Sequence, residues 1–541
     1  MEQLVAHGAT TVFGYPGGAV LALYDELYNY SDKIEHILTA HEQGAVHAAD
    51  GFARTCGKTG VVIATSGPGA TNLITGIANA YLDSVPMVAI TGNVPLSIHG
   101  KDSFQEVDVI GITGPIVKHS FVVRDIADLE QTLNEAFRLA NTGRRGPILV
   151  DIPKNVQTDS CEYSGKLPSM QPPPPPVFEL DKIAQAIKGS KRPFIYAGGG
   201  VLASGAQQQL NTLCERLSAP VGLSMMGLTA LPSAHPLNLG MCGMHGNYVS
   251  TLAASECDLL LALGVRFSDR ATGNVTEYEK DKTIIHIDID HAEIGKNVAP
   301  QMQVCGDVGN VLDQLLTLLP EIKNDAWSAR IEQIKASAQP QAFVRPDFNP
   351  KTIMEAAGRI FGDAVVATDV GQHQMWAVQF YNFVKPHTLL TSGGLGAMGF
   401  GLGAAIGGCI ASGSKKSILL TGDGSFGMNL TELATAVTYK LPVVVILLHN
   451  DALGLPRQWQ HAFFGDRFSH SRLGRKTDFV ALAKAFGAQG HRAQSIPQLE
   501  EILKALPDDC PAVVECPIDE NEIVLPMIPP GGSVKNMILR G

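Results

Sequence analysis

The stretch from 417 to 450 constrains the fold more than any other part of the chain: it reads SILLTGDGSF and, after a short interval, PVVVILLHN. Residues 417–421 and 442–448 are short apolar runs, each followed closely by glycine or polar residues, so both read as buried strands. The interval MNLTELATAVTYK has helical spacing and reads as the crossover of a βαβ unit, which makes the two strands parallel. Open sheets of this kind bind ligands outside the carboxyl ends of their strands, and Asp423 and Asn450 stand at those two ends. They offer a carboxylate and a side-chain carbonyl, hard oxygen donors suited to Mg²⁺ shared with a diphosphate. A lone Gly-Asp-Gly would read as an ordinary turn; the second strand with its terminal Asn450 gives it weight.

The same alternation of short strands and helices runs through the rest of the 541 residues, too many for one core. It divides the chain into three α/β segments, 1–165, 180–335 and 350–541, each expected to be a doubly wound domain with a mainly parallel sheet. Breaks fall at 161–178, where QPPPPPV favours an extended connector, and near 337–350, with QPQAFVRPDFNP. In the first segment HILTA precedes an alanine-rich helix, GVVIATSGPGATNL reads as strand, glycine loop and helix, and VPMVAITG and GPILVDIPK add strands. RPFIYAGGGV, CDLLLALGVRF and TIIHIDID are the strands of the middle segment, and AVVATDVG joins the pair in the third. The first and third segments share this pattern without a residue-level repeat.

With 41 Lys and Arg against 52 Asp and Glu, the net charge is −11 and no basic stripe interrupts it, which excludes nucleic acid as the principal partner. Nine cysteines, odd in number and widely spread without a CxxC pair, point to a reduced, cytoplasmic setting. Residues 394–413, GLGAMGFGLGAAIGGCIASG, have the length and lack of charge of a membrane span; their eight glycines favour instead a glycine-rich turn leading into a closely packed buried helix, and no membrane is expected. The chain enters a helix-like MEQLVAHGA at once, without a basic region followed by an apolar one, so no signal peptide is expected.

Gly-Asp-Gly at 422–424, 25 intervening residues and then Asn450 resemble the thiamine diphosphate signature, whose usual ending is Asn-Asn; here His449 replaces the first Asn. FGYPGGAV at 13–20, HEQGA around Glu42, TSGPGATN at 65–72, FQEVDV, GPILVDIPK, GVRFSDR, DVGQHQMW and the terminal LPMIPPGG make the resemblance specific. On these motifs the chain is identified as a member of the acetohydroxyacid synthase family over nearly its whole length, beginning only a few residues before YPGG, where the family usually has a fuller first helix.

The resemblance implies a thiamine diphosphate-binding fold and a set of sites. Asp423, Asn450 and the main-chain oxygen of Ala452 would be the Mg²⁺ ligands, so the change at His449 spares them. Gly422, Gly424 and Ser425 surround Asp423, while Gly371, Gln372 and His373 would lie near the diphosphate. Gly396 and Met398 would hold the aminopyrimidine and the bent cofactor, with Pro68 and Asn72 against the pyrimidine. Glu42 would be the carboxylate that hydrogen-bonds one ring nitrogen, so that the opposite imino group becomes the base that deprotonates C2. For FAD, in a non-redox role, the implied residues are Arg144, Gly198, Gly199, Gly200, His245, Gly246, Arg266, Asp288 and Asp307. Ser268 replaces one acid of the usual Arg-Phe-Asp-Asp-Arg, while Arg266, Asp269 and Arg270 remain.

On the substrate side, Arg270 and Trp459 would favour 2-ketobutyrate as acceptor, the guanidinium holding a carboxylate and the indole packing an ethyl group. Gln105 with Phe104, and Lys154, would line the entrance. The family usually has Gly-Met-Val where this chain has Gly454-Leu455-Pro456, and Pro456 is expected to stiffen or recap the segment after the metal site. Alone, most of these residues have plainer explanations: Glu42 a helix-start acid, the 198–200 glycines a turn, Met398 core, Lys154 surface. Their joint position in matching motifs is what lifts them.

The implied reaction is decarboxylation of pyruvate and ligation of the two-carbon unit to pyruvate or 2-ketobutyrate, the first common step of branched-chain amino-acid biosynthesis. The implied assembly is a homodimer or tetramer with active sites between subunits, and a small regulatory subunit is a further expectation. A flavin-active pyruvate oxidase and a flavin-free catabolic acetolactate synthase are the rival enzymes. A catalytically inactive binding protein of the same fold is the rival from another class, and Glu42, Asp423 and Asn450 speak against it.

Overall fold

The computed structural model describes residues 1–165, 176–338 and 341–540; the first four residues of the proline run at 172–176 lie outside them. Three six-stranded sheets, all of whose strand pairs are parallel, follow one another along the chain. The first is built from β1 (Thr11–Tyr15), β2 (Glu35–Leu38), β3 (Gly60–Ala64), β4 (Met87–Asn93), β5 (His119–Val122) and β6 (Pro147–Pro153), in the order β2-β1-β3-β4-β6-β5. Its inner strands β3, β4 and β6 are buried along their whole length, while the edge strands β2 and β5 carry the polar, partly exposed residues that an edge requires.

The middle sheet comprises β7 (Pro193–Ala197), β8 (Val221–Leu223), β9 (Asn238–Met241), β10 (Leu259–Leu263), β11 (Thr283–Asp288) and β12 (Met302–Cys305). Its order, β9-β8-β7-β10-β11-β12, reverses direction between β7 and β10 and opens a crevice at their carboxyl ends. The third sheet, from β13 (Val365–Thr368), β14 (Leu389–Leu390), β15 (Ser417–Gly422), β16 (Val443–His449), β17 (Gln489–Arg492) and β18 (Ala512–Pro517), runs β14-β13-β15-β16-β18-β17. That is the order of the first sheet, so the likeness of the outer segments is one of topology.

β15 and β16 are parallel in register from Ser417 against Val443 to Gly422 against Leu448, as their apolar runs predict. Their side chains alternate between two cores: Ile418, Leu420, Val444 and Ile446 join a cluster shared with the middle segment, and Leu419, Val443, Val445 and Leu447 one shared with the first. The crossover corrects the sequence reading at one point. Gly-Asp-Gly is not a loop: Gly422 caps a helix that begins at Asp423 and runs Asp423–Asn429, followed by a 3₁₀ turn Leu430–Glu432 and a helix Leu433–Thr438.

The glycine-rich stretch forms the helix Phe400–Ala411, entered through Gly399 at φ +81° and buried over most of its length. It lies along the helix Glu42–Cys56 of the first segment. A methyl group at Gly407 would collide with the Ala48 carbonyl, and one at Gly51 with the Ala404 carbonyl, so the two backbones touch. Among the described residues no helix is long and apolar enough to cross a membrane.

Candidate active site

At the carboxyl ends of β15 and β16 lies a cavity of about 140 Å³. It gathers Gly371, Gln372, His373, Met398, Gly422, Asp423, Gly424, Ser425, Asn450 and Ala452. Asp423, the first residue of its helix, is 4% exposed, and its Oδ1 has no hydrogen-bond partner. Burial pushes its carboxyl above the usual range, with His449 pulling the other way. A buried carboxylate oxygen without a donor is costly unless a cation compensates it. Among the described residues no cluster of three His, Cys, Asp or Glu is placed to do so with a thiolate- or imidazole-loving metal. One carboxylate, an amide oxygen and a main-chain carbonyl fit Mg²⁺. Asn450 Oδ1 accepts from Ala452 N at 3.2 Å, and the left-handed Asp451 (φ +53°) turns the chain between them.

His449 does not line the cavity. Its Nδ1 meets Glu515 Oε1 at 2.6 Å and its Nε2 lies 3.6 Å from Asp423 Oδ2, while Glu515 is also held by Arg492 at 2.9 Å. The Glu515 bond raises the imidazole above its ordinary value despite burial. His373 is the opposite case: burial pushes it down to about 3, and its Nε2 is without a partner. Gln372 spends its amide nitrogen on Gln458 Oε1 (3.0 Å) and the Glu522 carbonyl (2.9 Å), so it ties the C-terminal segment to the cavity wall. Pro456 is the third residue of the helix Gly454–Phe464. Its missing N–H falls among those that have no partner inside a helix, so no helical bond is lost there. Both Leu455 and Pro456 face the cavity.

Glu42 is the first residue of the helix Glu42–Cys56, which His41 caps by accepting at Nδ1 from Gln43 N. The carboxylate is 8% exposed, and its Oε2 accepts from Asn72 Nδ2 at 2.9 Å. Asn72 ends the short helix Pro68–Asn72, so Glu42, Pro68 and Asn72 form one group. Gln105, in the left-handed region at φ +59°, closes over Gly67, where a Cβ would stand 2.8 Å from its carbonyl oxygen. Lys154 is exposed at the start of the helix Lys154–Thr158, and Phe104 is almost fully exposed. None of these first-segment residues lines the smaller cavity, and Gly396 stays outside it on an exposed loop at φ +75°.

A second cavity of about 390 Å³ opens at the reversal between β7 and β10. Arg144, Gly199, Gly200, Arg266, Asp288 and Asp307 line it. Gly198 and Gly200 have no room for side chains because the Gly264 backbone lies against both, a cradle that lets the chain approach a ligand closely. Burial raises Asp288 to about 6, and Asp307 caps the helix Val308–Leu318. Arg144 pairs with Glu293 at 2.8 Å. His245 and Gly246 lie outside this cavity: Gln379 donates to the His245 carbonyl, and burial lowers the ring to about 4. Arg270 and Trp459, from different segments, do meet, with the guanidinium 5.7 Å from the ring centre.

The sequence reading missed Glu432, which holds the Glu42 loop, and a buried ion network of Asp50, Arg54 and Asp83 that reaches the loop before Met398. Asp83 accepts from Gly393 N and Gly394 N at 3.0 and 2.7 Å and pairs with Arg54 at 3.1 Å. The contacts of Glu432 with the Glu42 loop and of Asp83 with Gly393 and Gly394 span more than three hundred residues; the local signals were the i,i+4 pair Asp50–Arg54 and the run of glycines opposite.

Three family profiles match the chain in order: the N-terminal thiamine pyrophosphate-binding domain at residues 1–112, the central domain of thiamine pyrophosphate enzymes at 180–315 and their C-terminal thiamine pyrophosphate-binding domain at 369–516. The chain is 44% identical to the probable acetolactate synthase large subunit of Methanocaldococcus jannaschii, covering 99% of this chain and 94% of that one. It is 42% identical to the acetolactate synthase isozyme 3 large subunit of Escherichia coli (100% and 97% covered) and 42% identical to the acetolactate synthase large subunit of Lactococcus lactis (99% and 95%).

Proposed function

Since this chain belongs to the acetolactate synthase large subunits, a family of thiamine pyrophosphate enzymes, we propose that its smaller cavity holds the Mg²⁺-diphosphate end of that cofactor and its larger one FAD. The protein is a transferase. It releases CO₂ from one pyruvate and joins the remaining two-carbon unit to the keto carbon of a second 2-keto acid, giving 2-acetolactate from pyruvate and 2-aceto-2-hydroxybutyrate from 2-ketobutyrate. The cofactor, when bound, supplies the electron sink for the decarboxylation.

The observation that carries the assignment of the site is the Asp423 carboxylate, buried and without a partner at Oδ1, between two parallel strand ends. Asp423, Asn450 and the Ala452 carbonyl would hold the metal, with Gly371, Gln372, His373, Gly422, Gly424 and Ser425 around the diphosphate. Glu42, steadied by Asn72, would accept a hydrogen bond from the aminopyrimidine ring nitrogen and so keep a proton at that atom; Pro68, Gly396 and Met398 would hold the ring. Arg270 would take the acceptor's carboxylate and Trp459 its alkyl group, with Gln105 and Lys154 at the entrance.

The smaller cavity is lined only by residues between 370 and 518, which supports a site completed by Glu42 of a second subunit and hence a homodimer or tetramer. We further propose a small regulatory subunit as partner, which the relatives' designation as large subunits supports. FAD has no redox step to perform, because decarboxylation with ligation is redox neutral. The glycine cradle and Asp288 at the strand-order reversal support its site; Arg144, Gly199, Gly200, Arg266 and Asp307 line the same cavity, with Gly198, His245 and Gly246 near its rim or beyond it.

Product analysis of purified protein with pyruvate, with and without thiamine diphosphate, Mg²⁺, FAD and 2-ketobutyrate, tests this reading. Acetolactate that requires thiamine diphosphate and Mg²⁺, with the flavin still oxidised, is the expected result. Stoichiometric bleaching of the flavin with acetate and no acetolactate would overturn it.

A further inference from the structure

We propose that Glu432 is a positioning residue for Glu42, an inference that rests on the assignment of Glu42 to the cofactor ring. Glu432 ends the 3₁₀ turn after the Asp423 helix and is 1% exposed. Its Oε1 accepts from His41 N at 2.9 Å and its Oε2 from Ala40 N at 3.2 Å, the two backbone groups directly before Glu42. A third bond, from Thr435 Oγ1 to Oε2 at 2.7 Å, fixes the carboxylate itself.

The helix start is built to receive this group. Gly44 leaves the space that the carboxyl group occupies, since a methyl there would overlap Glu432 as it is held. His41 is clamped at both ends, its N–H by Glu432 and its ring by Gln43 N, so Glu42 leaves the clamp in one direction. A negative charge at this end of a 15-residue helix is also favoured by the helix dipole. Among the described residues no lysine or arginine pairs with Glu432. A buried acid with neutral donors alone is a poor device for stability, which well-packed apolar residues serve better. Its orientation toward the catalytic glutamate's own loop gives it a use. The short segment from Asp423 to Glu432 therefore carries a metal ligand at one end and the support of Glu42 at the other.

The test uses full-length protein loaded with Mg²⁺, FAD and thiamine diphosphate. It reads hydrogen–deuterium exchange at carbon 2 of the bound cofactor, and binding of Mg²⁺ with inorganic pyrophosphate. Glu432→Ala is expected to slow the exchange by about 100-fold, the effect of a displacement near 1 Å, and to leave pyrophosphate binding unchanged. The Glu42→Gln/Glu432→Ala double variant is expected to exchange no more slowly than Glu42→Gln alone, because the second residue acts through the first. Wild-type exchange in Glu432→Ala, or multiplicative losses in the double variant, would overturn the proposal. Should the alanine variant fail to fold, Glu432→Gln carries the same comparison, with a smaller loss expected since one acceptor oxygen remains. Wild-type protein that does not accelerate the exchange at all overturns the Glu42 assignment itself, and with it this proposal, before any variant is made.

Discussion

Arg270 and Trp459, the residues proposed to set acceptor preference, meet although they come from segments that neither sheet alone could bring together. The Arg270 side chain is 60% exposed and meets Asp269 at 3.7 Å, Met244 Sδ at 4.0 Å and the Trp459 ring, which leaves most of its donors open to a carboxylate. Trp459 is braced edge-on by Phe463 at 6.0 Å. Because an extra methylene in an apolar pocket changes selectivity by ten-fold or more, Trp459→Leu is expected to reduce the preference for 2-ketobutyrate over pyruvate by about 10-fold. The product ratio from mixed keto acids measures this, and an unchanged ratio removes Trp459 from the acceptor pocket. The neighbouring oddity, His449, turns away from the cavity toward Glu515, which is why replacing an asparagine there leaves the oxygen donors in place.

At the level of elements, what was legible in the sequence was what local pattern determines. β3, β7, β10, β15 and β16 are mostly apolar runs, β4 and β11 carry a few polar residues but are buried along nearly their whole length, and their parallel pairing follows from burial on both faces. β5, β9 and β17 are short and partly polar, and their strand conformation comes from pairing with a neighbour. The glycines on either side of Asp423 hide the helix that begins there, since alone they would mark a turn; Gly422 stays extended as its N-cap. Glu432 was invisible because its partners precede it by nearly four hundred residues. The Phe400–Ala411 helix gives a direct test of packing: Gly407→Ala pushes a methyl into the Ala48 carbonyl and is expected to destabilise the protein by about 3 kcal/mol, read as a lower urea midpoint at constant slope. A midpoint equal to wild type would mean that the two helices are free to part.

For the molecule as a whole, histidines removed from water are expected to weaken the fold in acid. Burial lowers His36 and His245 to about 4 and His47 to about 3, and neither ring nitrogen of His47 has a partner. A histidine depressed in the folded state takes up its proton on unfolding. Its contribution is therefore complete above the unfolded value of about 6.5 and is lost progressively as pH falls toward 4. Urea unfolding between pH 7 and 4.5 is expected to show stability falling with pH, with a shallower dependence in His47→Leu; identical slopes would contradict it. The seam between the Glu42 and Phe400 helices has a wider consequence. Where main chain rests on main chain there is no side chain left to vary, so the joint offers selection nothing to adjust. On the proposed roles of Arg270 and Trp459, a change of substrate choice would begin with those two exposed or half-exposed side chains and leave the spine between the two helices as it is.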